Sequence, residues 1–316
     1  MRVLPSNSRR QQGVALISVL LVFAIVSVIA AEMINLHFLD IRKTSNVINS
    51  KQAYFHALAG EEFVRQVLYR DYQEKLRNQS DSYLDNWQLL DGSFEIEEGE
   101  IIIQVEDLQG LFNVNNLLVE GRIQHQEAEL FKQLLTELGI SLDIASQLQD
   151  WLDIDDGTLP SGAESADYLA QTAPYLAANR PLADRSELRL LKNMDEESYL
   201  LLLPLVTALP EKTRFNLNTL NKTVLAALIP HLSETQLKEF GKKQQSGGYT
   251  TVSEWLSQPV GQHLNTLRSQ LTVQSSYFQS QITVNYAGRI SQLQTVYYRN
   301  PDDGEINILS RQNRIE

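Results

Sequence analysis

An unbroken apolar stretch near the N-terminus constrains this chain more than any other feature. From Val14 to Ala31 runs VALISVLLVFAIVSVIAA, eighteen residues without a charge. As a helix it is about 27 Å long at ~1.5 Å per residue, enough to span a bilayer core. Arg2, Arg9 and Arg10 precede it with no acid among them, and the first acid after it is Glu32. That asymmetry orients the N-terminus to the cytoplasm. No other stretch combines that length with that apolarity, so the chain crosses a membrane once at most. Three processing schemes fit such a segment. One is a secretory signal cut near Val28-Ile29-Ala30, with Ser8-Arg9-Arg10 as an incomplete twin-arginine variant. The second is an uncleaved anchor. The third is a leader ending in Gly13, cut before an apolar helix that stays in the product.

The residues that follow bear on this choice. No proline interrupts the chain between Ala31 and Pro160, and no glycine lies between Gly13 and Gly60. Val47, Tyr54, Leu58, Val64 and Leu68 share one face at ~100° per residue. One helix is therefore expected from Val14 to about Leu76, roughly 90 Å long at ~1.5 Å per residue. A cleaved signal has no reason to be continuous with the mature fold. A basic leader, then a rod that is half membrane and half soluble, suits the third scheme.

Beyond the rod the rhythm changes. Ser93–Ile96 and Glu100–Val105 flank Glu-Glu-Gly and read as a hairpin. Phe278, Ser280, Ile282, Val284 and Tyr286 share one face of a period-two strand, Arg289–Tyr298 is a second strand, Pro301–Gly304 a turn and Glu305–Ser310 a third strand. Between hairpin and final strands lie roughly 165 residues of helical character, too many for a loop. An echo divides them: FNVNNL at 112–117 and FNLNTL at 215–220 each precede a helical stretch, with Asn or Thr placed to cap it. The reading is a leader at 1–13, membrane helix at 14–31, its soluble continuation at 32–76, a first hairpin at 77–106, helical subdomains at 107–212 and 213–273, and closing strands at 274–316.

Composition narrows the chemistry. The 316 residues carry a formal charge of −12 and no cysteine, which removes disulfides, thiolate metal sites and cysteine nucleophiles. The second helical subdomain resembles a helix-hairpin-helix unit, yet Ser233-Glu234 stands where DNA-binding relatives place a glycine-rich hairpin. With an acidic chain besides, nucleic acid is not an expected partner. The five histidines form no close metal pair, no serine occupies a Gly-x-Ser-x-Gly elbow, and no P-loop is present. Asp150, Asp153, Asp155 and Asp156 do crowd together, followed by Glu164 and Asp167. Asp153, Asp155 and Glu164 fit the first, third and twelfth positions of a calcium loop, but Gly157 and Thr158 break the pattern. Spacing alone leaves both a calcium site and a solvated acidic loop with helix caps open.

RRQQG before VALISVLLVFAIVSVIA, then KQAYFHALAGEEFVRQVL, DWLDIDDGTLPSGAESADY, ANRPLADRSELRLLKNM and FNLNTLNKTVLAAL, in that order, resemble the pseudopilin K family of type II secretion systems, within the type IV pilin-like superfamily. The resemblance covers most of the chain. It implies cleavage between Gly13 and Val14 by prepilin peptidase, with N-methylation of the new terminus. Ordinary pilins carry a glutamate at the fifth mature position, which neutralises a neighbour's amine within the bilayer, where an unpaired charge is costly. Here that position is Ser18, as in the K subfamily, which suits a subunit with none beyond it. The implied fold is α+β: a pilin-like N-terminal helix with an antiparallel sheet, plus a large inserted all-α domain of two SAM-like, helix-hairpin-helix-like subdomains.

The resemblance also implies calcium in the α-domain, with Asp153, Asp155, Asp156 and Glu164 as the best ligands. Implied partners are the minor pseudopilins I, J and H, the major pseudopilin G, the inner-membrane assembly platform, prepilin peptidase and secreted proteins. The implied location is the inner membrane, single-pass, with the bulk in the periplasm. The implied function is not enzymatic: a minor pseudopilin that caps the pseudopilus tip and helps initiate assembly. The rival readings are a membrane-anchored periplasmic binding module that does not polymerise, and an enzyme with an unrecognised site.

Overall fold

The structure is a computed structural model and describes residues 11–74, 80–230, 232–258 and 261–315. Most of the expected leader, and the end of the rod at Leu76, lie outside those residues. The first element is helix α1, Gln11–Glu74, 64 residues long. Its N-terminal part is apolar all round, with mean hydropathy 3.0 over eighteen residues and none of that stretch buried in the protein. Phe23 is 70% exposed. A helix that is hydrophobic on every side needs an apolar solvent, and this one is long and apolar enough to cross a membrane.

The C-terminal part of α1 lies on a five-stranded antiparallel sheet: β1 (Gly92–Ile96), β2 (Gly99–Asp107), β3 (Tyr277–Tyr286), β4 (Arg289–Arg299) and β5 (Ile306–Ile315), neighbours in that order. The sheet is thus a meander with the helical body inserted between two adjacent strands, β2 and β3. Phe278, Ser280, Ile282 and Val284 are buried against the helix, as the period-two pattern anticipates. The third closing strand runs past the expected Ser310 to Ile315. Its polar sequence gave no apolar signal, but the strand keeps pairing with β4 out to Ile315, and the half-exposed Arg311 forks onto Glu61 of the helix, with both bonds 2.7 Å long.

The face that α1 buries keeps Val64 and Leu68 of the expected stripe and is rotated by one residue in the turns before them. Ala53, Ala57, Glu61, Val64 and Leu68 are buried; Tyr54 and Leu58 are half-buried flanks, and Val47 is 56% exposed. Small residues take the closest approach because helix and sheet backbones meet there. At Gly60 a Cβ would lie 3.2 Å from Ile282 Cγ2, leaving little room for any side chain.

The inserted body contains α2 (His125–Glu137), α3 (Asp143–Leu152), α4 (Ser165–Leu169), α5 (Glu196–Leu202), α6 (Lys222–Leu228), α7 (Glu234–Gln245) and α8 (Val252–Leu256). One continuous core joins its two halves, with the rings of Phe131 and Phe215 5.5 and 5.9 Å from that of Phe112. The sequence echo closes each half in the same way. Phe112–Asn113 pairs in parallel with Val206–Thr207, and Phe215–Asn216 with Leu271–Thr272. In both, the asparagine is buried and its Oδ1 accepts the N–H two residues on, Asn115 at 3.2 Å and Asn218 at 3.0 Å.

Buried polar groups tie this body to the rod. Asp107, at the end of β2, accepts from Ser275 Oγ (2.5 Å), Thr219 Oγ1 (2.6 Å) and Asn216 Nδ2 (2.9 Å). Ser275 N–H donates to Asp81 (2.7 Å), and Arg299 bridges Asp81 (2.6 Å) and Asp71 on α1 (3.2 Å). Burying charge is tolerated only where partners satisfy it this fully.

Candidate metal centre

The acidic run begins in the last turn of α3 and ends at the start of α4. Asp150 lies in that last turn and Asp153 is the C-cap. Carboxylates there face the negative end of the helix dipole, an arrangement that disfavours them. No basic residue occupies the last turn to offset it. Local folding nevertheless forces the arrangement. The fully buried Asp150 accepts the Leu159 N–H at 3.2 Å and so braces the loop from within. A side chain at Gly162 would run into the Asp150 carboxylate, so that glycine permits the close turn.

Of the four expected ligands, Asp153 and Glu164 come together around Asp150. Glu164 is the N-cap of α4 and 4% exposed. Its carboxylate faces the Asp167 N–H in a capping box, but among the described residues neither of its oxygens, nor Asp153 Oδ1, makes a well-aligned hydrogen bond. Burial pushes the Glu164 pKa up to about 7, with repulsion from Asp150 and Asp153 adding to it. Burial, then Asp155 and Asp150, pushes Asp153 up to about 6. Asp155 is exposed and accepts its own Gly157 N–H at 2.8 Å, while Asp156 is exposed on the same loop. Asp167 is neutralised by Lys192 at 2.7 Å. Hard oxygens, buried and without well-aligned hydrogen bonds, are the donor set that calcium takes, so these residues fit that ion.

A second acidic group was not anticipated. Asp71, Asp81 and Asp85 bring one oxygen each within 4.8 Å of one another, closer than the loop carboxylates come. There the guanidinium of Arg299 already supplies positive charge to Asp71 and Asp81. The signal available in the sequence was Arg299 itself, a charge on the inward side of a period-two strand.

The positions expected for processing and assembly lie on α1. Gly13 and Val14 are within the helix, and the Ser18 hydroxyl donates to the Val14 carbonyl at 2.9 Å. Ser18 thus satisfies its own polar group inside the helix and brings no charge to the apolar surface.

Comparisons with known proteins bear on the whole chain. Two family models described as type II secretion system protein K match residues 110–211 and 215–274. The chain is 34% identical to type II secretion system protein K of Pseudomonas aeruginosa over 312 residues, covering 96% of this chain and 93% of that one. It is likewise 34% identical to the protein of that name from Klebsiella pneumoniae, over 86% of this chain and 87% of the other. Among solved structures it is similar to a chain of the GspK–GspI–GspJ complex from the enterotoxigenic Escherichia coli type 2 secretion system. That match has a TM-score of 0.76 and 25% identity, and covers 86% of this chain and 99% of the other.

Proposed function

We infer a mechanical role from the premise that this chain belongs to the type II secretion system protein K family: it is a minor pseudopilin, and within the pseudopilus it caps the tip. The place of the inserted body carries this reading. Its ties to the pilin-like frame include those through Asp81 and Tyr83, which follow the end of α1 farthest from the apolar span, besides those to Asp107 and Gln312 on the sheet. Asp81 N–H donates to the Val273 carbonyl at 2.7 Å, and Tyr83 donates to the Thr219 carbonyl at 3.0 Å. A body of that bulk on the far end of a rod obstructs the stacking of another subunit above it. Ser18 supports the same position, since a tip subunit has no amine beyond it to neutralise.

In this role Val14–Ala31 holds the rod in the inner membrane with the bulk in the periplasm. Prepilin peptidase cuts between Gly13 and Val14. The minor pseudopilins I and J, by analogy with the complex of the similar chain, pack beside the rod and start assembly with H, G and the inner-membrane platform. No chemistry is assigned to the chain. Asp153 and Glu164, with Asp150 behind them and Asp155 and Asp156 on the loop, hold a structural calcium ion that offsets their repulsion. Intact-mass spectrometry after coexpression with the peptidase tests the processing. Loss of residues 1–13 is expected; loss through Ala30, or no loss, would overturn it.

A further inference from the structure

The sheet face turned away from α1 is built from amides. Gln104, Gln281, Gln294 and Gln312 stand in register across β2 to β5, and the adjacent row is Glu106, Gln279, Val296 and Ser310. Gln294 donates to Gln279 at 2.9 Å and Gln312 to Asp184 at 3.3 Å. Among the described residues, Gln104 and Gln281 make no side-chain hydrogen bond.

At one corner this face becomes a cleft. β1 stops pairing at Gly92–Ile103, and from there the free edge of β2 is bordered by the segment Tyr83–Asp91, whose Asp91 accepts the Val105 N–H at 2.7 Å. The cleft holds about 340 Å³ and is lined by Tyr83, Asp91, Gln104, Glu106 and Gln281 among others, with no Lys, Arg or His in its lining. That volume suits an inserted side chain and lies at the small end of ligand sites.

Two of its carboxylates are occupied. Asp91 also accepts the Gln88 amide at 2.7 Å, and Asp107 belongs to the buried network. Glu106 accepts no hydrogen bond from a described residue. It reaches the water in the cleft, yet protein crowds it and pushes its pKa up. Arg185, which itself donates to the carbonyls of Leu203 and Val206, offsets part of that; Asp107 and Asp91 add to it. Arg185 is not among the lining residues, so the charged side chains that line the cleft are all acidic, and a carboxylate so placed attracts a cation from outside.

We propose that this cleft receives an arginine side chain from a partner protein, with the guanidinium on Glu106 and the flanking peptide groups on Gln104 and Gln281. The planar fork can pair with a carboxylate and still offer N–H groups to amide oxygens, which an ammonium does less well. Glutamine amides both donate and accept, as peptide groups do. A single carboxylate not otherwise engaged is too few for a divalent cation. This inference does not rest on tip capping.

The test uses the full chain in detergent micelles. Because the chain has no cysteine, Gln279→Cys places a single thiol in the cleft lining and leaves the Gln88–Asp91 bond intact, and its rate of reaction with a maleimide reports occupancy. Nα-acetyl-arginine amide is expected to slow the reaction several-fold, and the uncharged citrulline analogue to leave it unchanged. Glu106→Gln in the same background is expected to abolish the protection without moving the melting temperature, since Glu106 is at the surface. No protection by the arginine amide, equal protection by citrulline, or protection that survives Glu106→Gln would overturn the proposal.

Discussion

Arg299 on β4 holds Asp81 with Nη2 2.6 Å from Oδ1, and both side chains are almost wholly buried. The same guanidinium reaches Asp71 on the rod and the carbonyl of Ser275. One side chain therefore joins the rod, the segment leaving it and the end of the helical body.

Removing that guanidinium should be severe. Arg299→Met takes a buried cation from two buried carboxylates, a loss of about 3–5 kcal/mol by the usual cost of breaking a buried pair. Chemical denaturation of the full chain in micelles checks it. A change under ~1 kcal/mol, the range of surface ion pairs, would show that the junction does not depend on Arg299.

Gly60 permits the rod to lie on the sheet. Gly60→Leu forces a branched side chain against Ile282, already 3.2 Å from where the first carbon would stand. The expected loss is about 1–3 kcal/mol, as for other overpacked cores. The same substitution at exposed Gln66 should leave stability almost unchanged and is the control.

Calcium should raise the melting temperature and EDTA lower it. At a hundred times the dissociation constant a bound ion adds ~2.7 kcal/mol. Glu164→Gln and Asp153→Asn should remove most of that response, whereas Asp167→Asn should not, because Asp167 is already paired with Lys192. Melting curves that coincide with and without calcium would rule the site out.

Ser18→Glu restores the carboxylate of an ordinary pilin. Within the membrane span an unmatched charge costs about 2.5–3.5 kcal/mol, so a subunit with nothing above it should assemble less well. Secretion and filament number, measured in cells expressing this variant alone, should both fall. Unchanged values would mean the missing carboxylate has no bearing on position.

Much of this fold is written in local pattern. The span from Val14, the hairpin around Glu97-Glu98 and the buried face of Phe278 to Val284 follow from periods that one segment carries by itself. What local pattern does not carry is which distant residues meet. Ala53 and Ala57 outrank larger Tyr54 and Leu58 on the rod because closeness to the sheet decides the face, and apolar size misleads. The last strand is longer than expected because it pairs with β4 as far as Ser291–Ile315, and Arg311 within it meets Glu61 only in the fold, 250 positions away. The acidic loop was visible from its spacing, but Asp150 as its buried brace was not, since only the folded turn at Gly162 brings them together.

The capping role has one most direct measurement. Thr172→Cys gives this cysteine-free chain a single thiol on the exposed surface of its helical body. Coupled to gold and assembled with the major and the other minor pseudopilins, it can be located on filaments by electron microscopy. The expected result is gold at one end of each filament; gold spaced along the shaft would contradict the capping role.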